Sequence, residues 1–473
     1  MKKRNSSDDH SSIILLSTII IVLVFVIISY IPPFTLGSFN VRRVNVFSDF
    51  LKFKDSIATV TSKEIVDTSF MADLPEEIVM QIAELSSVSE TEPEERAVPP
   101  LSFDSAFAGA FEDYSDGYQM TAKMKKLLLD DSRTRCIHMS FFGDSFIEGD
   151  ILTSSLRETL QNTYGGHGLG YIPFNDPRSN NRPYISQTAS GWTCYSLLRK
   201  KNAPEKYRED FGVNGYISIP TPGARAVFSS RDGKGLNCSC AHIVFKNRGE
   251  ARMDVILNGQ DSLHYNLDSS PDVQQITLSG NIMNLEIRIP SCNDFVGYGV
   301  EFESDNGIYV DNYALRSHSG YNLVGTSKDL NRQFGEIVSQ DIIVLEYGLN
   351  VLQKTVTDYS FYAKKLTNVV NFVHLCFPES VIIVMSVGDV GWNNDGTVVT
   401  APAVRPMVTS QREASIQCGV MFWNTFQAMG GEGSMNELVR KGWAAKDFTH
   451  IRFEGGEMLS EKMAGSISGI TEK

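Results

Sequence analysis

Cysteine is scarce. The 473 residues hold seven, at 136, 194, 238, 240, 292, 376 and 418. So few, and an odd number, exclude a small scaffold stapled by disulfides. Cys136 and Cys376 lie in or beside apolar runs and read as buried thiols, whereas Cys238, Cys240 and Cys292 share one region where an oxidising compartment would permit a bridge. Cys238-Ser239-Cys240 lacks the two-residue spacer and second ligand pair of a zinc site, so no metal is assigned there. Positive charge is also short: 43 Lys and Arg face 56 Asp and Glu, a net charge of −13. With no basic, aromatic-interleaved stretch to offset it, nucleic acid is excluded as a partner. Gly-x-Ser-x-Gly, His-Glu-x-x-His and a complete Walker loop are missing, and the glycines at 165–170 do not complete Gly-x-Gly-x-x-Gly. Serine-elbow hydrolases, zincins, P-loop enzymes and dinucleotide binders therefore lose their signatures.

Long apolar runs are missing too, with one exception. Residues 13–31 carry 19 positions without a charge, almost all Ile, Leu, Val or Phe. That is close to the roughly 20 needed to cross hydrocarbon. Lys2, Lys3 and Arg4 precede the run and favour a cytoplasmic segment 1–12, although Arg42 and Arg43 weaken the asymmetry. Tyr30-Ile31-Pro32-Pro33-Phe34 is unlike a small-x-small cleavage site, so the run reads as an uncleaved anchor with the bulk of the chain outside the cytoplasm. Residues 32–100 read as a juxtamembrane stalk that becomes acidic and proline-bounded near Pro99-Pro100. The remainder, in a chain 42% hydrophobic and 21% charged, is ordinary globular sequence with room for two or three domains.

Two textures alternate after residue 101. Cys136–Phe142 is an apolar strand ending at Gly143, followed by a helical stretch over 150–164. The runs 341–347 and 380–386 are apolar at consecutive positions, as strands covered on both faces are. Helical patterns at 359–374, 409–428 and 454–466 supply the cover, so the expected architecture is α/β: a parallel sheet flanked by helices. Between 212 and 305 the segments at 241–245, 253–257, 275–278, 285–289 and 298–303 tend instead to alternate apolar with polar residues, with turn signals such as Asn258-Gly259. This predicts an inserted antiparallel β-sandwich, either carbohydrate-binding or purely structural. The α/β domain is thus expected in two parts, 101–211 and 306–473.

Gly143-Asp144-Ser145 lies where a buried strand ends and a helix is about to begin, which presents a hydroxyl at the carboxyl edge of the sheet. Near the other end, Asp447-Phe448-Thr449-His450 places a carboxylate three residues before a histidine. A neutral serine needs a base, and the base needs a carboxylate to hold its tautomer; both fit within one turn here. Acyl transfer also needs donors for the developing oxyanion. Asn350, in Gly348-Leu349-Asn350 after a strand, and Gly320, after the strand-like 308–313, can supply them; as structure alone both are turn residues. Among the other candidates His138 reads as a core strand residue, His318 as a neighbour of the cleft and Asp389 as a turn cap.

Taken in order, Gly143-Asp144-Ser145, Gly320, Gly348-Leu349-Asn350 and Asp447-Phe448-Thr449-His450 resemble the four sequence blocks of the SGNH (GDSL-type) hydrolase superfamily. Residues 145–153, the glycine run 165–170 with Tyr171-Ile172-Pro173, Phe422-Trp423 and Ala428-Met429-Gly430-Gly431 are similar to one branch, the bacterial peptidoglycan O-acetylesterases with a carbohydrate-binding-like β insertion. The resemblance implies a flavodoxin-like three-layer sandwich. It implies Ser145 as nucleophile, His450 as general base and then acid, Asp447 as the group orienting His450, and an oxyanion hole of the Ser145 and Gly320 N–H groups with the Asn350 side chain. Leu349 departs from the small polar residue that relatives often carry there, and with Val351-Leu352 it predicts a more apolar rim.

The expectation is a membrane-anchored carbohydrate esterase of a bacterial inner membrane, its catalytic domain in the periplasm or cell envelope. It would remove O-acetyl groups from peptidoglycan or another envelope glycan with no metal or organic cofactor. Two alternatives stay open on the sequence. One is an O-acetyltransferase with the same triad, which would suit a multi-span envelope acyltransferase as partner. The other is a non-catalytic glycan-binding surface protein.

Overall fold

The chain divides into two units, Met1–Val66 and Asp67–Lys473. The computed structural model describes residues 110–130, 134–178, 181–231, 236–260, 262–304 and 306–472, with the backbone of 34–36 and 39–41. In the first unit, β1 (Phe34–Leu36) and β2 (Phe39–Val41) form an antiparallel pair with Thr35 opposite Asn40. The apolar run 13–31 and most of the stalk 32–100 lie outside the described residues. Among the described residues no helix is long and apolar enough to cross a membrane.

The second unit begins with β3 (Phe111–Asp113), α1 (Gln119–Leu129), β4 (Cys136–Gly143) and α2 (Thr153–Tyr164). Then come β5 (Gly170–Pro173), β6 (Ile185–Ser196), β7 (Tyr216–Ser230), β8 (Cys238–Asn247), β9 (Ala251–Leu257), β10 (Ser262–Leu267), β11 (Val273–Ile282), β12 (Asn284–Cys292) and β13 (Phe295–Glu303). The chain returns through β14 (Gly307–Ala314), α3 (Lys328–Ile337), β15 (Ile342–Glu346), α4 (Ser360–Cys376), β16 (Val381–Met385), β17 (Gly391–Asn394) and β18 (Thr397–Thr400). It ends with α5 (Val404–Cys418), β19 (Met421–Trp423), α6 (Thr425–Met429), α7 (Ser434–Lys441) and α8 (Phe453–Thr471).

The central sheet has the order β14-β4-β15-β16-β19-β3 and is parallel except for β3 at its edge. On one face Met139 and Phe141 of β4, Val344 of β15, Ile383 of β16 and Trp423 of β19 pack with Met124, Leu156 and Leu459 of α1, α2 and α8. On the other, α3, α4 and α5 bring buried Phe334, Val370 and Met407. Strands covered on both sides have no polar row to show, which is why they read as unbroken apolar runs. The predicted helix over 409–428 is instead three elements. α5 stops at Cys418 because Gly419 takes φ 62°, a left-handed cap whose N–H meets the carbonyls of Ser415 and Ile416. The aromatic pair Phe422-Trp423 then enters the sheet.

The insertion is one antiparallel sheet of order β10-β9-β12-β7-β13-β8-β11, with β5 on β13 and β6 on β7. Strands β7 and β13 share a single register pair, Ser218 with Gly297, so the sheet bends there. Its halves face each other: Phe228 of β7 meets Phe302 of β13 edge to face at 5.6 Å, over a core that includes Ala226, Met253, Ile243 and Val300. The sheet starts at Gly170, well before the expected boundary at 212. Among the described residues β6 pairs only with β7, and much of Ile185–Ser196 is serine, threonine, alanine and glycine, so it carries little apolar alternation to read. All seven cysteines are free thiols, including the three for which a bridge was open.

A buried ion cluster ties this sheet to the α/β core. Arg182, just before β6, reaches Asp150 ahead of α2 at 2.8 Å and Asp176 after β5 at 2.9 Å, and all three are buried. Burial opposes ionisation of Asp150, but Arg182 and Arg157 outweigh it and hold the carboxyl below the usual carboxylate range. Arg182→Ala is expected to cost about 3–5 kcal/mol in urea unfolding, because it strands buried charges. Asp150's part of that stability is present above its unfolded value near 3.8 and is lost as pH falls through its lower folded value. The difference between wild type and variant should therefore shrink in acid; a loss under about 1 kcal/mol at neutral pH would show the cluster to be relaxed.

Candidate active site

Register brings the site's loops together. Gly143, the last residue of β4, lies opposite Ala314 of β14 and Glu346 of β15, so the chain leaves all three strands at one edge of the sheet. No larger residue fits at 143: a Cβ would stand 2.7 Å from Glu346 Oε2 and 2.7 Å from Ile147 Cδ1. Asp144 then closes the turn, its Oδ1 accepting the Phe146 N–H at 2.9 Å and its own N–H donating to Glu346 Oε2 at 3.2 Å. Ser145, between them, is half-buried.

His450 comes from the loop between α7 and α8, 305 residues along the chain, and its Nε2 lies 3.0 Å from Ser145 Oγ. Its Nδ1 is 2.8 Å from Asp447 Oδ2. An ionised carboxylate only accepts, so the proton sits on Nδ1 and Nε2 is left as the acceptor facing the serine. Asp447 Oδ1 takes the N–H groups of Thr449 at 3.0 Å and His450 at 3.1 Å, so the turn is closed by the same side chain that orients the ring. Burial raises the Asp447 carboxyl, but the hydrogen bonds from His450 and Thr449 outweigh it and hold it below the ordinary value. The turn puts Phe448 at φ 56°, a region costing a side chain about 1–2 kcal/mol. It is held there by the Gly391 N–H of β17, which donates to the Phe448 carbonyl at 2.7 Å.

The other two predicted residues converge on the same edge. Asn350 donates one amide hydrogen to Asp144 Oδ2 at 2.7 Å and the other to the His318 carbonyl at 3.1 Å, tying the loops after β4, β14 and β15 together. Gly320 opens a short turn at φ 90°, and a Cβ there would press on the Tyr347 ring at 3.0 Å. His318 is buried against Tyr347 and does not line the cleft as a titrating group; burial holds it neutral, down to about 3. Leu349 turns toward the core and so adds less to an apolar rim than expected. Asp389 is a cap, but of a distant element: its Oδ2 accepts the Met435 N–H of α7 at 2.9 Å.

Three acidic residues here have a role that the sequence did not assign. Asp144 and Glu346 are buried side by side, and desolvation pushes Asp144 up to about 7 and Glu346 well above the ordinary carboxylate range. Glu148, three residues after Ser145, pairs with Arg316 at 2.5 Å and links the loops after β4 and β14. The only signal for these was a charge adjoining an apolar strand end. Because the Asn350 amide favours the charged form of Asp144, Asn350→Ala should raise the Asp144 titration above that of wild type, read by carboxyl 13C NMR. An unchanged or lower value would mean that Asn350 does not hold this carboxylate.

No protein-family model matches the sequence, and no curated protein matches it. Solved structures do match. A peptidoglycan O-acetylesterase superposes on 76% of this chain and 99% of its own, with a TM-score of 0.63 and 20% identity. A family two carbohydrate esterase from Cellvibrio japonicus covers 61% of this chain and 99% of its own at 10% identity, but its TM-score of 0.25 is too loose to bear on the fold. The chain thus has the fold of a peptidoglycan O-acetylesterase of solved structure, and the blocks that resemble an SGNH hydrolase meet at one edge of its sheet.

Proposed function

We propose that the chain is a serine carbohydrate esterase that removes O-acetyl groups from peptidoglycan or another envelope glycan, with Ser145, His450 and Asp447 as its triad. The reading rests on one observation: Ser145 Oγ lies 3.0 Å from His450 Nε2 while Asp447 occupies Nδ1 at 2.8 Å. His450 takes the hydroxyl proton as Ser145 Oγ bonds to the acetyl carbonyl carbon. The imidazolium then returns that proton to the departing sugar oxygen. Water, activated by the same nitrogen, cleaves the acetyl-enzyme and releases acetate.

Charge on the carbonyl oxygen would be met by the Ser145 and Gly320 N–H groups and by the Asn350 amide, each donor worth about 3–4 kcal/mol. Asn350 is exposed, and its longer bond, to the His318 carbonyl, is the one that an oxyanion would share or replace. The likeness to a peptidoglycan O-acetylesterase supports the choice of ester. The uncharged run 13–31 supports tethering to a bacterial inner membrane with the site in the periplasm or envelope, where an immobile glycan would be met.

Ser145→Ala should abolish release of acetate from acetylated peptidoglycan and labelling by a fluorophosphonate probe, with an unchanged circular dichroism spectrum. Retained turnover would reject the assignment, and acetate appearing on an added glycan in place of free acetate would make the reaction a transfer. Asp447→Asn should lower kcat on an aryl acetate by on the order of 10³–10⁴, with little change in KM. A loss under tenfold would remove Asp447 from the triad.

A further inference from the structure

Where β13 of the insertion crosses β4 and β14 of the central sheet, three side chains meet out of contact with water. His138 of β4 is 2% exposed, and Asp311 of β14 and Glu301 of β13 are 0% exposed. One donor atom from each lies within 4.8 Å of the others. His138 Nδ1 stands 2.8 Å from Asp311 Oδ2 and 3.9 Å from Glu301 Oε1. Its Nε2 faces a further carboxylate, Glu303, at 3.8 Å.

The charges do not balance. Three carboxylates face the His138 imidazole, with a second imidazole, His242, reaching only Glu303 at 3.5 Å, and among the described residues no Lys or Arg forms an ion pair with Glu301, Glu303 or Asp311. Arg157 favours the charged Glu301 at longer range, but its guanidinium is committed to the Val310 carbonyl at 2.6 and 2.9 Å and to Asp150 at 3.4 Å. Asp311 is partly satisfied, its Oδ1 taking the Tyr171 N–H at 3.0 Å. Glu301 is not: neither of its buried oxygens receives an N–H or O–H, and Oε1 points at the imidazole. A buried carboxylate in that state needs a cation or a proton.

We propose that His138, Glu301 and Asp311 hold a structural divalent metal ion, Zn²⁺ or Mn²⁺, that clamps the β insertion to the catalytic sheet. One imidazole nitrogen with carboxylate oxygens suits such borderline ions. Ligands at about 2.0–2.2 Å from an ion stand roughly 3.0–3.5 Å apart. The two separations from His138 Nδ1, 2.8 and 3.9 Å, bracket that spacing, and the two carboxylate oxygens lie within 4.8 Å of each other, so the ion would draw the carboxylates together around it. Glu303 then takes the place of the carboxylate that orients a ligating histidine through its other ring nitrogen. His138 is five residues, roughly 17 Å, back along β4 from Gly143, so the ion would act on stability and not on the serine. This inference does not depend on the esterase reading.

The full chain, purified without chelator, should carry about one equivalent of Zn or Mn by elemental analysis. EDTA should remove it and lower Tm, and added Zn²⁺ or Mn²⁺ should restore both. Glu301→Gln, which keeps the shape and removes the charge, should weaken Zn²⁺ binding by on the order of 100-fold and make Tm insensitive to EDTA. His264→Ala, at an exposed histidine paired with Asp254, should leave binding unchanged. If wild type holds no metal at micromolar Zn²⁺ or Mn²⁺ and its Tm ignores EDTA, the ion is excluded and Glu301 is instead protonated against Asp311. Binding that persists in Glu301→Gln would overturn the assignment as well. Should that variant fail to fold, the metal content and chelator response of wild type still decide.

Discussion

The site depends on the burial of β4. Every residue from Cys136 to Gly143 is out of solvent, with a parallel partner on each side, helices packed on the Met139 and Phe141 face and β13 of the insertion against His138 on the other. Such a strand cannot slip: a shift of one residue would turn its whole apolar row toward the wrong layer. The register that follows, Gly143 beside both Ala314 and Glu346, is what delivers the turn at Ser145, the Gly320 loop and the Asn350 loop to one place. Only His450 arrives by another route, from a loop between two helices. That loop is fastened through the strained Phe448 to β17 and through the Ala445 N–H to the carbonyl of His450 itself.

Around that strand the chain buries polar groups in small clusters. Arg182 between Asp150 and Asp176 joins the insertion to the start of α2. His138 with Asp311 and Glu301 lies between β4, β14 and β13. Asp144 beside Glu346 underlies the serine turn. Apolar contacts would hold these layers at a distance but not in one register, whereas a buried carboxylate is tolerable only where its partners stand, so each cluster fixes an alignment at a cost in desolvation.

Much of the fold was legible because period and burial go together. The runs at 341–347 and 380–386 had to be covered strands, and the alternation after 240 had to be a sheet with one wet face. β6 was not legible, because an edge strand of small polar residues carries no apolar row. The helix expected over 409–428 failed at Gly419, a left-handed cap that periodicity cannot see. In the site, Ser145, Asn350, Gly320 and His450 could be named from strand ends and a short Asp-to-His spacing. Asp144, Glu346 and Glu148 could not, since a carboxyl beside a strand end reads the same whether it faces water or the interior.

The sequence by itself determined what is local: which segments are apolar on both faces, where strands end, and that Asp447 reaches a histidine within its own turn. Those properties follow from neighbours a few residues apart, for which spacing alone sets geometry. The tertiary structure decided which of those ends meet, which acids are desolvated, and how far the insertion extends. Each of these depends on pairing and burial between residues up to some 300 positions apart, as with Ser145 and His450, and no local pattern encodes them.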